Sequence, residues 1–106
     1  MPLIKVLNLS KEQTAAVAKD NIGELSKVTG APEKAFTFFH VCDPLAEDDL
    51  VLFDIQWYPR DTAKMKAVAE LLYNDVTKRG KSKIDVLFSD LVAERHYTNG
   101  KQFEKK

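Results

Sequence analysis

Apolar positions follow the same order twice along this chain. Leu3 to Leu9 (LIKVLNL) is rich in Leu, Ile and Val, the composition of a strand. It stops at Ser10, and Gln13 completes a Ser-x-x-Gln capping box, so a helix begins there. From Lys11 to Thr29, Ala15, Ala18, Ile22, Leu25 and Val28 recur at helical spacing, with Lys11, Glu12, Lys19, Asp20, Glu24 and Lys27 left for solvent. Gly30 stands where a helix-ending glycine belongs, and Pro32 follows as a further stop. Phe36 to Cys42 (FTFFHVC), aromatic and β-branched, predicts a second strand.

The second half repeats that order. Asp43 to Asp49, with Pro44 among four acids, reads as a surface connection. In Leu50 to Tyr58 (LVLFDIQWY), Phe53, Ile55 and Trp57 point one way, and Asp54, Gln56 and Tyr58 the other. Pro59 ends this strand, Asp61 is a candidate N-cap, and Ala63 to Arg79 places Met65, Val68, Leu71, Leu72 and Val76 at helical spacing. Gly80 closes the helix, and Lys83 to Phe88 predicts a fourth strand. In the tail, Asn99-Gly100 predicts a hairpin turn. Placing Ser10 over Asp61 brings Val17 over Val68, Ala18 over Ala69 and Leu25 over Val76.

Two tandem βαβ units predict an α+β fold: a four-stranded mixed sheet with two helices on one face, right-handed crossovers and a C-terminal hairpin tail. The other face has nothing left in so short a chain to cover it, so association with other copies is expected.

Composition narrows the function. With 106 residues, 44% apolar and 30% charged, the chain suits one domain over 1–106, with repeat units at 2–42 and 50–88 and a tail at 89–106. Sixteen Lys and Arg balance sixteen Asp and Glu, which argues against a nucleic-acid partner. The opening MPLIKVLNLS lacks the pattern of a signal peptide, and no stretch approaches the roughly 18 apolar residues of a membrane span. A lone cysteine, Cys42, fits a reducing compartment, so a cytoplasmic location is expected.

Pro2 is the candidate for chemistry. Initiator methionine is usually removed before a small residue, which would leave a secondary amine at the start of a strand. An α-amino group titrates near about 7.7 to 8, and an apolar pocket lowers that value, giving a base at neutral pH. A proline near a chain start is otherwise unremarkable, because its missing N–H costs nothing there.

Met-Pro-Leu-Ile-Lys, the paired βαβ units and the Gly-Ala-Pro boundary before the second strand resemble the tautomerase superfamily, which includes 4-oxalocrotonate tautomerase and macrophage migration inhibitory factor. Asp54 to Arg60 (DIQWYPR) and His96 to Phe103 (HYTNGKQF) are similar to a bacterial branch of it, a domain-of-unknown-function family. The resemblance implies a homotrimer with sheets inside and helices outside, no cofactor, and Pro2 as catalytic base in keto-enol chemistry on a small, carboxylated or aromatic carbonyl compound. It also implies antiparallel first strands of the two repeats at the sheet centre, with Trp57, Tyr58 and Arg60 near Pro2. Arg60 would then hold a substrate carboxylate and Tyr58 would donate to an enolate oxygen, with Trp57 and Tyr97 completing the substrate-binding set. A solvated Arg60 and a core Trp57 are the plainer alternatives. Two features depart from the pattern: Ala31 stands where migration inhibitory factor has a pocket lysine, and Asp85 and Leu87 fall near the places of its later tyrosine and asparagine.

The remaining candidates have ordinary explanations. His40 and Cys42 share a strand face, but with only His96 besides them no metal site is expected. Glu47-Asp48-Asp49 reads as a solvated turn, and Lys78, Arg79, Lys81 and Lys83 as cations favoured at a helix C-terminus. Lys5 and Asp54 are candidates to pair across the central strands. Three function classes follow: a cofactor-independent tautomerase, a non-enzymatic trimer of the same fold that binds a small metabolite or a protein, and a ferredoxin-like regulatory module, which typically forms dimers.

Overall fold

The computed structural model describes residues 2–41 and 49–102. Cys42, Pro44, the Glu47-Asp48 part of the acidic run and Phe103 lie outside the described residues. The chain runs β1 (Leu3–Leu7), α1 (Lys11–Thr29), β2 (Thr37–Val41), β3 (Leu50–Trp57), α2 (Thr62–Lys78) and β4 (Lys83–Asp90), then β5 (Tyr97–Thr98) and β6 (Lys101–Gln102). Strands β1 to β4 form one mixed sheet in the order β2-β1-β3-β4, and β5 pairs with β6 as a separate hairpin.

Each repeat contributes a parallel pair, β1 with β2 and β3 with β4, and the two repeats meet antiparallel at β1 and β3. Ile4 and Ile55 are direct partners across that seam. They are also equivalent positions when Ser10 is laid over Asp61, so a local two-fold relating the halves passes between them. Lys5 and Asp54 are neighbours in the same register.

The helices form where the caps put them. Ser10 closes a full capping box with Gln13, and Asp61 accepts from the Lys64 N–H at 2.8 Å. Gly30 takes the left-handed conformation that ends α1 (φ 78°) and donates to the Ser26 carbonyl at 2.9 Å. Strand β1 ends at Leu7, two residues earlier than its composition suggests, because Asn8 turns to positive φ (71°) and its side chain donates to the Leu50 carbonyl at 2.8 Å. Strand β4 runs two residues further than predicted, to Asp90, alongside Trp57.

One sheet face and both helices share the core. Ile4, Val6, Val51, Phe53, Ile55 and Trp57 pack with Val17, Leu25, Val68, Leu72 and Val76, which includes two of the three aligned helix pairs, Ala18 and Ala69 being only half-buried. Asn21 sits at the repeat position of Leu72 and satisfies its buried amide on the Val17 carbonyl at 2.8 Å. The alternate residues of the sheet face outward. Phe39 and Leu87 there are 45% and 53% exposed. No helix among the described residues is long and apolar enough to cross a membrane.

Candidate functional site

The predicted site residues gather at one end of the sheet, where β1 begins and β3 and β4 finish. Leu3 pairs with Gln56, which sets Pro2 beside Trp57, and Trp57 in turn pairs with Asp90. Pro2 is almost completely buried, and its carbonyl accepts from the Thr37 N–H at 3.1 Å.

Trp57 ends the inward-facing series of β3 and is 1% exposed. Its ring stacks on Phe88 with centroids 4.8 Å apart and planes 24° from parallel. Its indole Nε1 is buried without a hydrogen-bond partner among the described residues. Arg60, in the short turn between β3 and the Asp61 cap, lies over the Trp57 ring: its guanidinium carbon is 4.8 Å from the ring centroid. Its Nη1 donates to the Tyr58 carbonyl at 3.0 Å. Desolvation lowers the Arg60 pKa from its usual value, yet a guanidinium keeps its charge at neutral pH.

Tyr58 turns to the tail. Its hydroxyl lies 2.7 Å from His96 Nδ1, and His96 Nε2 lies 3.3 Å from Thr98 Oγ1. Desolvation raises the phenol pKa of this buried tyrosine, which keeps the proton on its oxygen. The Tyr58 hydroxyl and Nδ1 thus share one hydrogen bond, and Nε2 on the other side of the ring faces Thr98. Tyr97 is 63% exposed and lines a cavity of about 290 Å³ with Asp90, Leu91, Val92, Arg95 and His96.

Pro2, Trp57 and Arg60 are thus close neighbours, whereas Tyr97 belongs to the tail and Tyr58 is bonded to it through His96. Sequence reading passed over the Tyr58 to His96 bond and the grouping of Asp90 with Arg95. The one signal available was the dense polar and aromatic run Arg95-His96-Tyr97. Elsewhere, His40 Nε2 contacts the Leu9 carbonyl at 2.9 Å. Asp85 and Leu87 lie on the exposed face of β4.

A family model described as a domain of unknown function, DUF1904, matches residues 1–102. No curated protein matches the chain significantly. Among solved structures, a DUF1904 domain from Sebaldella termitidis is 28% identical, with a TM-score of 0.82 over 97% of this chain and 100% of that one. A macrophage migration inhibitory factor homologue from Prochlorococcus marinus is 18% identical, with a TM-score of 0.77 over 96% and 99% of the two chains. A fused 4-OT described as an asymmetric trimer is 13% identical, with a TM-score of 0.78 over 94% of each. The fold is that of the tautomerase and migration inhibitory factor proteins.

Proposed function

This chain belongs to the DUF1904 family, and from that premise we propose that it is a cofactor-independent tautomerase acting on small keto or enol acids as a homotrimer. The observation that carries the reading is the placement of Pro2 beside Trp57, whose ring carries the Arg60 guanidinium. A base and a carboxylate-binding cation then share one end of the sheet.

With a free amino group, Pro2 takes a proton from the carbon next to the substrate carbonyl. The electron pair moves into the enolate, and the proton returns to oxygen or to another carbon. A free amino group in apolar surroundings is disfavoured in its charged form and is the better base at neutral pH. Arg60 holds the substrate carboxylate through paired N–H donors, and Trp57 forms an apolar wall. Tyr97 lines the neighbouring cavity of the tail, and Tyr58 is bonded to His96 there. Sixteen cationic side chains balance sixteen acidic ones, which disfavours a nucleic-acid partner.

The test is intact-mass measurement of untagged protein, followed by ketonisation of phenylenolpyruvate and 2-hydroxymuconate. A chain starting at Pro2, turning over either compound and losing that activity in Pro2→Ala, supports the reading. Met1 retained on the cellular protein, or equal rates for both forms, overturns it. The near-complete burial of Pro2 favours a second reading, a trimer that binds a small metabolite or a protein without turnover.

A further inference from the structure

Beyond the sheet end, the tail builds a cavity of its own. Its volume of about 290 Å³ lies at the small end of ligand sites. Its lining carries both signs of charge, Asp90 from the end of β4 and Arg95 from the 3₁₀ turn at Ala93–Arg95. Neither takes part in an ion pair among the described residues, and both side chains are exposed. The rest of the wall is apolar or aromatic: Leu91, Val92 and Tyr97. Val92 and Tyr97 are 43% and 63% exposed, large apolar groups open to solvent at the cavity. His96 is fixed in the wall by Tyr58 on one side and Thr98 on the other, so its ring orientation is set before any ligand arrives.

We infer that this cavity binds a small zwitterion with an apolar side chain, that is, an aromatic or branched α-amino acid. A ligand bearing one carboxylate and one ammonium answers both lone charges at once. Arg95 receives the carboxylate and Asp90 the ammonium. Leu91, Val92 and Tyr97 cover the side chain, which removes apolar surface of both partners from water. A ligand with only one charge leaves the other protein charge unanswered and binds more weakly.

The test is titration of the full chain with L-phenylalanine and L-leucine, followed by calorimetry and by NMR of the tail. N-acetyl-L-phenylalanine lacks the ammonium and L-phenylalanine methyl ester lacks the carboxylate. The free amino acids are expected to bind, each blocked form about tenfold more weakly. Arg95→Gln and Asp90→Asn are each expected to lose about tenfold in affinity for the free amino acid. Both positions are exposed, so an unchanged circular dichroism spectrum verifies that each variant is folded. Equal binding by either blocked form, or no binding of L-phenylalanine and L-leucine at millimolar concentration, overturns the inference. The titration needs no turnover, so its failure leaves the proton-transfer reading of Pro2 standing.

Discussion

The Tyr58 hydroxyl sits 2.7 Å from Nδ1 of His96, and this bond fastens the tail to the end of β3. The two rings lie 5.7 Å apart, tilted by 31°. Tyr58→Phe keeps the ring and removes the hydroxyl, so a loss of stability is expected in urea unfolding at neutral pH. Burial raises the folded-state pKa of this phenol, so its contribution is complete below the unfolded value near 10.0 and is lost as pH rises through the folded value. The deficit of Tyr58→Phe should therefore shrink in strongly alkaline solution. A constant deficit across that range would show that the phenol does not titrate differently in the two states.

Arg79 joins the two helices. Its Nε donates to Asp75 at 2.8 Å on its own helix, and its Nη2 donates to Asp20 of α1 at 2.7 Å. The hydrogen bond to Asp75, followed by that to Asp20, raises the Arg79 pKa. Asp20 is more than half exposed, so solvent screens this link and its worth is modest. A double-mutant cycle of Arg79→Gln with Asp20→Asn should give a coupling of about 0.2 to 1 kcal/mol that fades in high salt. Coupling that resists salt would contradict a screened surface pair.

Those two contacts mark where sequence reading stops. Strands and helices were legible because each is announced locally: alternation in Leu50 to Trp57, the capping box at Ser10, the cap at Asp61, and the Asn99-Gly100 turn, where both residues take positive φ. The overlay of the repeats carried the core as well, since Val17, Val68, Leu25 and Val76 are all essentially inaccessible. Arg79 read as one of a basic group at a helix end, because its partner on α1 is 59 residues away. Tyr58 and His96, 38 residues apart, gave no local sign of each other. Such pairs are selected by tertiary packing, which places no regular period in the chain. Pro2, Trp57 and Arg60 were gathered by family resemblance, and register then gave the physical reason for their proximity.

The outward sheet face offers a test of assembly. Phe39 lies opposite Lys5, Lys5 opposite Asp54, and Asp54 opposite Leu87, so one row crosses all four strands with exposed apolar groups at both ends. In the proposed trimer this face is covered. Leu87→Asp should then shift sedimentation from trimer towards monomer, because a charge buried without a partner is costly. Its direct effect on the fold should stay within about 0.5 kcal/mol, as at other exposed positions. An unchanged sedimentation coefficient in Leu87→Asp and Phe39→Asp would place the interface elsewhere.

Trp57 makes the proposed carboxylate site observable, because it is the only tryptophan in the chain and Arg60 lies directly over its ring. A buried indole responds to the charge above it, and a guanidinium drawn towards an incoming carboxylate changes that field. Titration with pyruvate, a small keto acid without absorbance from an aromatic ring, should produce a saturable change in tryptophan emission. Arg60→Gln keeps a polar group of similar reach but removes the cation and its paired donors, so the change should disappear. The substitution itself should cost about 0.5 to 1 kcal/mol through the lost contact with the ring, little enough to leave the protein folded for the titration. Arg60→Lys separates the two functions of the side chain: it retains charge near Trp57 but cannot present two parallel N–H donors, so binding should weaken without vanishing. A saturable response of equal size in wild type and Arg60→Gln would mean that pyruvate is held by other groups, and Arg60 would then serve only to cover the indole.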